Sequence, residues 1–231
     1  MKTKPWSPSL PVRLAIGLGA FALYLAVLFV AAGRLNWWPG WIYVGLLSVM
    51  QLAAHLLLKA KNPALIAARR RIGAGTPAWD RRWLLGMRIL MFAVALVAAL
   101  DGGRYGWSAM DSRWMLPGAL LLVAGESWSV YAMLVNPHFE ATVRLQTDRA
   151  HRVIETGPYR LVRHPGYTGL IVIFLATPLL LLSRWAFAPT LLLIAWMILR
   201  TYREDEFLAR ELDGYADYRR RVRYRLVPGV W

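Results

Sequence analysis

The 231-residue chain contains no cysteine, only four histidines, and 13 acidic residues against 28 lysines and arginines. The absence of cysteine excludes disulfide bonds, thiolate metal ligands and a cysteine nucleophile. Because the remaining metal ligands are few and scattered, a metal site has weak support and none is expected. Chemistry in this protein must therefore come from other side chains or from a bound organic cofactor.

Acidic residues are too few to balance the basic ones, and the net charge is +15. In a soluble protein such an excess would suggest nucleic acid. Here the aromatic residues lie in apolar runs rather than among the arginines, so we expect no nucleic-acid partner. The alternative is that arginines flank membrane spans, where they set orientation and contact anionic lipids.

Hydrophobic residues make up 58% of the chain, more than the roughly 45–50% of an average soluble domain. Apolar runs of about 20 residues explain the excess, since that length spans a bilayer as a helix. The basic start lacks a short apolar region with a cleavage site, so the first run is predicted to be retained. The four predicted full spans are Val12–Ala32, Trp41–Leu58, Leu84–Leu100 and Trp114–Val135.

The fifth apolar stretch, Thr168–Leu199, is interrupted by Ser183-Arg184 and by two prolines. Each half has about 15 residues, short of the length needed for an upright span. We therefore predict a tight helical hairpin with Arg184 at its tip. The fold class is all-α: a polytopic membrane protein with four full spans and a C-terminal helical hairpin.

Basic residues are distributed unevenly between the two sides of these spans. With the N-terminus inside, 23 of the 28 lysines and arginines fall in inner segments, as the positive-inside rule requires. Both termini are then cytoplasmic, and the polar segment Asn136–Tyr167 faces the same side as the tail Arg200–Trp231. We predict an integral protein of a prokaryotic-type inner or plasma membrane, with a four-span region (residues 1–135) and a C-terminal region (residues 136–231) that holds the hairpin and the cytoplasmic tail.

Two other polar features carry weaker hypotheses. Pro63–Ile72 is predicted to be a short amphipathic helix on the membrane surface. Glu126 lies inside the fourth span, and an intramembrane carboxylate is a functional candidate. The alternative for Glu126, a contact between helices supported by neighbouring serines, is slightly favoured.

The stretch His151–Gly169 has an unusual composition for a segment between apolar runs, with five glycines and prolines among arginines, histidines and tyrosines. Pro165 disfavours a helical conformation at His164 and so directs its imidazole out of a turn. Gly166 and Gly169 leave room for a ligand or a helix to approach closely. A binding loop and a purely interfacial loop explain this composition equally well.

The second cluster lies where the last apolar helix ends. Arg200 and Glu204 are four residues apart and share one face if the helix continues. Three consecutive acids, ending in Asp205-Glu206, are unusual in so basic a chain and could neutralise a cation or accept hydrogen bonds. The alternative is an ordinary ion pair on a solvated helix.

Taken together, these motifs resemble the isoprenylcysteine carboxyl methyltransferase family, integral-membrane enzymes related to phospholipid N-methyltransferases. The resemblance covers about the C-terminal 95 residues. It rests on Gln146, His151-Arg152-Val153-Ile154, Gly157-Pro158-Tyr159, Arg163 to Gly169, and the Arg200/Glu204-Asp205 set.

The resemblance implies S-adenosylmethionine as cofactor, held in a cytoplasmic cofactor pocket, so that residues 136–231 form the cofactor-binding catalytic region. It implies that Arg200 faces the substrate and that Glu204 takes part in catalysis as well as in cofactor binding. Because the family often has two glutamates where this chain has Glu204-Asp205, the carboxylate that touches the cofactor stays open. The implied cofactor-binding residues are Gln146, His151, Arg152, Val153, Ile154, Tyr159, His164, Pro165, Gly166, Tyr167, Glu204 and Asp205.

The expected partners are membrane lipids and a lipidic substrate that enters from the bilayer, with no obligate protein partner. The nucleophile, a carboxylate, amine or thiol, stays open. One alternative is an NADPH-dependent enzyme like the membrane sterol reductases, which have a similar C-terminal turn. The other is a non-enzymatic scaffold or transporter, in which Glu126 and Arg184 would line a path.

Overall fold

The computed structural model describes residues 9–69, 75–108 and 110–231, and within these ranges the chain is helical with no strand. Lys2, Lys4, Arg70, Arg71 and Ile72, which entered the orientation and surface-helix predictions, lie outside the described residues. The helices are α1 (Leu10–Ala32), α2 (Trp38–Lys61), α3 (Pro63–Arg69), α4 (Ala78–Ala98), α5 (Met115–Val135), α6 (Pro165–Leu180), α7 (Phe187–Glu211) and α8 (Tyr215–Arg221).

Helices α1, α2, α4 and α5 are long and apolar enough to cross a membrane. Their outward side chains are large and apolar, as on Val30 (74% exposed) and Leu116 (67%). Such surfaces are stable only in contact with lipid or another apolar partner. The prediction of an all-α protein with four membrane spans is confirmed.

The third span is longer than predicted. It begins at Ala78 and continues past α4 through a π-helical segment, Ala99–Tyr105, in place of Leu84–Leu100. The longer span includes two carboxylates beyond the predicted ends, Asp80 and Asp101, and both are fully buried. Each accepts hydrogen bonds from other parts of the chain, which reduces the cost of placing it within the helix.

Helices α5 and α6 pack at a distance that only glycine permits. A Cβ on Gly169 would lie 2.5 Å from the carbonyl oxygen of Gly125, and one on Gly125 would lie 2.7 Å from the carbonyl oxygen of Gly169. Ser129 Oγ donates to the carbonyl oxygen of Gly166 across the same seam, at 3.2 Å. Small residues and serine hydroxyls are the usual means of close helix packing in membranes.

Helices α6 and α7 lie against each other, joined by residues 181–186 with the exposed Arg184 in the turn. Asp101 fixes this turn, because its carboxylate accepts from Ser183 Oγ at 2.6 Å. Its other oxygen accepts from the backbone N–H of Ser108 at 2.7 Å. The buried charge therefore joins the end of the third span to the tip of the hairpin.

Glu126 is buried on α5 and accepts a hydrogen bond from Gln51 Nε2 of α2 at 2.6 Å. This is the contact between helices favoured from the sequence. Neither Glu126 nor Arg184 reaches the large cavity described below.

Contacts also join the two predicted regions, residues 1–135 and 136–231. Asp80 of α4 accepts from the backbone N–H of Val143 at 2.8 Å and lies 3.1 Å from Arg200 Nε of α7. The N-terminal spans therefore hold parts of the C-terminal region in place.

The seam between α5 and α6 leads to a test of packing. We expect Gly169→Ala to lower the free energy of unfolding by about 1–3 kcal/mol, because the new methyl group overlaps the α5 backbone. Gly45→Ala on α2, where a Cβ would meet nothing within 4 Å, is the matched control and should not destabilise the protein. Thermal unfolding in detergent measures both, and equal melting temperatures would contradict the packing argument.

Candidate cofactor site

A cleft with about 740 Å³ of empty space, including the part open to solvent, lies at the ends of α5, α6 and α7. The polar segment between α5 and α6 covers it, and Tyr215 and Tyr218 of α8 close another side. A concave cleft lined by aromatic side chains and a few convergent polar groups is the usual form of a small-molecule site.

Most of the predicted cofactor residues come together in this cleft. Pro165 and Asp205 are the exceptions, because neither lines it. The predicted residues that do line it are Gln146, His151, Arg152, Val153, Ile154, Tyr159, His164, Gly166, Tyr167 and Glu204.

The segment His151–Ile154 contributes its main chain. The backbone N–H of His151 donates to Gln146 O at 3.3 Å, but the N–H groups of Arg152, Val153 and Ile154 donate to no other group in the part of the chain that the structure describes. These three residues border the cleft, so their backbone N–H groups are donors available to a ligand with an acceptor oxygen or nitrogen.

Two histidines form one wall of the cleft. The rings of His138 and His151 lie 4.7 Å apart, and Gln146 holds both by donating to His138 O at 2.7 Å and, through its backbone N–H, to His151 Nδ1 at 3.3 Å. Burial lowers the pKa of His151 to about 4, with a further contribution from the nearby His138. Burial also lowers the pKa of His138. Both rings are therefore neutral at pH 7.

The Nδ1 atom of His138 is buried and has no hydrogen-bond partner among the described residues. A buried polar atom without a partner carries a free-energy cost of about 1–3 kcal/mol. Because His138 lines the cleft, a ligand with a polar group could remove that cost.

Tyr159 lies deeper in the cleft. Asn136 Nδ2 donates to its hydroxyl at 3.0 Å, and Tyr218 donates to its carbonyl oxygen at 2.7 Å. Burial raises the pKa of the Tyr159 phenol well above its ordinary value. Tyr159 is therefore a neutral, positioned aromatic surface rather than a base.

The start of α6 supplies the third wall. Pro165 is buried in the first helical turn, where its missing N–H costs nothing, and it places His164 just before the helix. The ring of His164 lies parallel to that of Tyr167, with centroids 5.7 Å apart. The Tyr167 hydroxyl donates a short hydrogen bond to the Glu204 carboxylate, so Tyr167 and Glu204 act as one polar unit on the cleft wall.

Asp205 has a different position from the one implied by the resemblance. It is fully buried behind the wall, where Arg163 binds both its oxygens at 2.7 and 2.8 Å. Arg225 and Tyr215 also donate to it, each at 2.9 Å, and His164 Nε2 lies 3.3 Å away. Because its carboxylate is saturated by these groups, we correct its role from cofactor contact to positioning of His164 and Tyr215. Of the two adjacent acids, the structure places Glu204 on the cleft.

Arg200 does not line the cleft. It lies one helical turn nearer the membrane interior than Glu204, with its Nε 3.9 Å from that carboxylate. Its guanidinium carbon lies 4.2 Å from the Trp83 ring centroid and 5.3 Å from that of Tyr167. Arg200 is therefore a buried cation directly behind the Tyr167–Glu204 unit, on the membrane side.

Several residues of the site were not predicted. Arg144 is held by Glu140 at 2.7 Å and by Asp148 at 2.7 Å, which stiffens the covering segment. The sequence does place an acidic residue four positions before and four positions after Arg144. That spacing predicts ion pairs only within an α-helix, and this segment is not an α-helix. Asn136, Tyr215 and Tyr218 had no distinguishing pattern and reach the cleft through the fold alone.

Comparison with known proteins agrees with the motif analysis. Residues 118–210 match the sequence model of the isoprenylcysteine carboxyl methyltransferase (ICMT) family. The chain is also 24% identical over 191 residues to probable protein-S-isoprenylcysteine O-methyltransferases from Oryza sativa subsp. indica and subsp. japonica. That alignment covers 79% of this chain and 92% of each relative. The resemblance predicted from the motifs is confirmed.

A solved structure shares the fold. The eukaryotic intramembrane Ras methyltransferase ICMT superimposes with a TM-score of 0.53 at 18% sequence identity. The superposition covers 78% of this chain and 63% of that chain, so this protein spans less than two thirds of the length of its structural neighbour. At this identity the likeness concerns the arrangement of the helices.

The neutral histidine wall predicts a dependence of stability on pH. Folding lowers the pKa of His151 to about 4. Between about pH 6.5 and pH 4, the unfolded chain therefore binds a proton at this histidine and the folded protein does not. Stability should therefore fall as the pH is lowered through this window. We expect His151→Gln to flatten the fall in melting temperature, and an unchanged slope would contradict the assignment.

The adjacent acids should differ sharply in their effect on stability. Asp205→Asn leaves buried arginines without their counter-ion and should cost about 3–5 kcal/mol of unfolding free energy. Glu204→Gln is the matched control, because the amide oxygen can still accept from Tyr167, and its cost should be much smaller. Denaturant unfolding of the two variants gives the comparison, and similar losses would refute the assignment of Asp205 as the positioning acid.

Proposed function

Because this chain resembles the isoprenylcysteine carboxyl methyltransferase family in its motifs and in its match over residues 118–210, we propose that it is a member and acts as an integral-membrane methyltransferase. In this proposal it transfers a methyl group from S-adenosylmethionine to the carboxylate of a prenylcysteine-like lipid. The observation that carries the proposal is the cleft, in which ten of the twelve residues implied by the resemblance meet beside a buried arginine.

The groups present suit the cofactor. S-adenosylmethionine carries a carboxylate, an ammonium, a sulfonium and an adenosine. The free N–H groups of residues 152–154 suit the carboxylate or the adenine edge, and Glu204 suits the ammonium or the ribose hydroxyls. Tyr159 and Tyr167 offer faces near a sulfonium, where cation–π attraction is worth about 0.5–2 kcal/mol.

The bound cofactor supplies an electrophilic methyl group on a positively charged sulfur. Held by Glu204, Tyr159, Tyr167 and the backbone of residues 152–154, the cofactor would supply a methyl group to an acceptor carboxylate placed by Arg200. A new carbon–oxygen bond would replace the carbon–sulfur bond, whose electron pair would stay on sulfur, so that the products would be a methyl ester and a thioether. No proton moves, so a carboxylate acceptor needs no general base. Alignment of the reactants can supply about 7–11 kcal/mol.

Arg200 is the group proposed to bind the acceptor. Its position nearer the membrane interior than Glu204 suits a substrate that arrives from the lipid with its charged head toward the cytoplasm. A guanidinium binds a carboxylate through two parallel hydrogen bonds. If the acceptor were instead an amine or a thiol, it would have to lose a proton, and Glu204 would be the candidate base.

The proposed topology follows from charge. The cleft, α8 and both chain ends are assigned to the cytoplasmic side, and the protein to a prokaryotic-type inner or plasma membrane. The partners proposed are membrane lipids and the lipidic acceptor, without an obligate protein partner. A transport path through Glu126 and Arg184 finds no support, because Glu126 is hydrogen-bonded to Gln51 and Arg184 is exposed at a turn.

The cofactor can be tested on the purified protein. Isothermal titration calorimetry should detect S-adenosylmethionine, and transfer of a tritiated methyl group to N-acetyl-S-farnesylcysteine should be measurable. Failure to bind at millimolar concentration would refute the proposal. Binding of NADPH without S-adenosylmethionine would favour the reductase alternative.

Variants separate the cofactor wall from the acceptor site. His164→Ala and Tyr167→Phe should weaken cofactor binding about tenfold, because each loses a hydrogen bond that orders the wall. Arg200→Gln should slow methyl transfer while the cofactor Kd changes less than about twofold, because the loss falls on acceptor alignment. Calorimetry and the tritium assay give both quantities.

Tyr105 is exposed beyond the end of α4. Tyr105→Phe is therefore the control for loss of a tyrosine hydroxyl, and it should change neither the cofactor Kd nor the rate of methyl transfer. If Arg200→Gln abolished cofactor binding without unfolding the protein, the division of roles would be wrong.

A further inference from the structure

Asp80 lies outside the segment that matches the family model, yet its carboxylate contacts Val143 of the cleft lining and Arg200 behind the cleft wall. It is fully buried in the first turn of α4. One oxygen accepts from the backbone N–H of Val143 at 2.8 Å, which ties α4 to the segment over the cleft. The other oxygen faces Arg200 of α7.

The contact between Asp80 and Arg200 is close without being a complete hydrogen bond. Asp80 Oδ1 lies 3.1 Å from Arg200 Nε, but neither atom has a hydrogen-bond partner among the described residues. Both atoms are buried. Each partner of a buried ion pair depends on the other, because removal of one leaves an uncompensated charge in the protein interior.

The remaining contacts of Arg200 limit the directions in which its guanidinium can move. One Nη donates to the carbonyl oxygen of Ala141 at 3.0 Å, and the plane faces the Trp83 ring. Trp83 is itself fixed, because its indole N–H donates to Trp196 O at 2.8 Å and Trp196 returns a bond to Trp83 O at 3.1 Å. Arg200 is therefore enclosed by α4 on one side and by the Tyr167–Glu204 wall on the other.

We infer that Asp80 is a positioning residue, which orients the Arg200 guanidinium behind the Tyr167–Glu204 unit for contact with the acceptor carboxylate. This inference rests on the proposed function, since it assumes that Arg200 binds the acceptor. The ligand class follows from charge, because a guanidinium binds an anionic oxygen. Asp80 acts through Arg200 and does not itself touch the reacting atoms.

The test compares Asp80→Asn with the wild-type full-length protein in detergent. Asparagine can still accept from Val143, but its amide presents donors to Arg200 in place of a negative oxygen. We expect kcat/KM for N-acetyl-S-farnesylcysteine to fall by about 10- to 100-fold, because the guanidinium is displaced from the acceptor. The Kd for S-adenosylmethionine, measured by calorimetry, should stay within about twofold of wild type.

Two further variants distinguish positioning from general structural damage. Asp80→Glu keeps the charge and should recover part of the lost kcat/KM. Asp101→Asn removes an equally buried carboxylate at the opposite end of the same span, and should lower the melting temperature with little change in kcat/KM. If Asp80→Asn matched Asp101→Asn in both measurements, Asp80 would be merely structural and the inference would be overturned.

A double-variant cycle completes the test. If Asp80 acts through Arg200, then Asp80→Asn should add almost nothing to the loss caused by Arg200→Gln. Additive losses would overturn the inference while leaving the proposed function intact. Absence of methyl transfer by wild-type protein that does bind the cofactor would instead refute the proposed acceptor, and the inference with it.

Discussion

Asp205 is a fully buried carboxylate on which three separate parts of the chain converge. Arg163 comes from the turn before α6, Arg225 from the tail, and Tyr215 from α8. A buried charge is tolerated only when its partners are present together, so these parts must assemble at once. His164 lies at hydrogen-bond distance from the same carboxylate, and the candidate site therefore depends on this ion-pair cluster for one of its walls.

The same principle organises the membrane-spanning part. Each carboxylate within a span is met by a group from another element: Asp80 by Val143, Asp101 by Ser183, and Glu126 by Gln51. Apolar surfaces pack in lipid with little directional preference, so they fix the register of neighbouring helices only weakly. Polar contacts are directional, and here they are placed where the hairpin, the third span and the polar segment must align. Glycines at the seam between α5 and α6 then allow close contact at that register.

The cleft combines rigid and unpaired groups in a way that suits a cofactor with several charges. Helix ends provide His164, Tyr167 and Glu204, while an extended segment provides free backbone N–H groups. The neutral histidine wall and the unpaired Nδ1 atom of His138 add polar capacity without adding charge. The resemblance to the isoprenylcysteine carboxyl methyltransferase family and this arrangement together support the proposed methyl-transfer reaction, in which Arg200 would face the acceptor.

The sequence by itself determined the number of spans and the position of the site along the chain. Runs of apolar residues need only length and composition to predict a helix in lipid, and the order from Gln146 to Glu204 is specific enough to indicate the family. The tertiary structure alone decided which of two adjacent acids reaches the cleft, because Glu204 and Asp205 point in different directions on one helix. It also decided that Asp80, about 120 residues earlier, lies against Arg200. Contacts between distant segments depend on how helices pack in three dimensions, and no local pattern of residues records them.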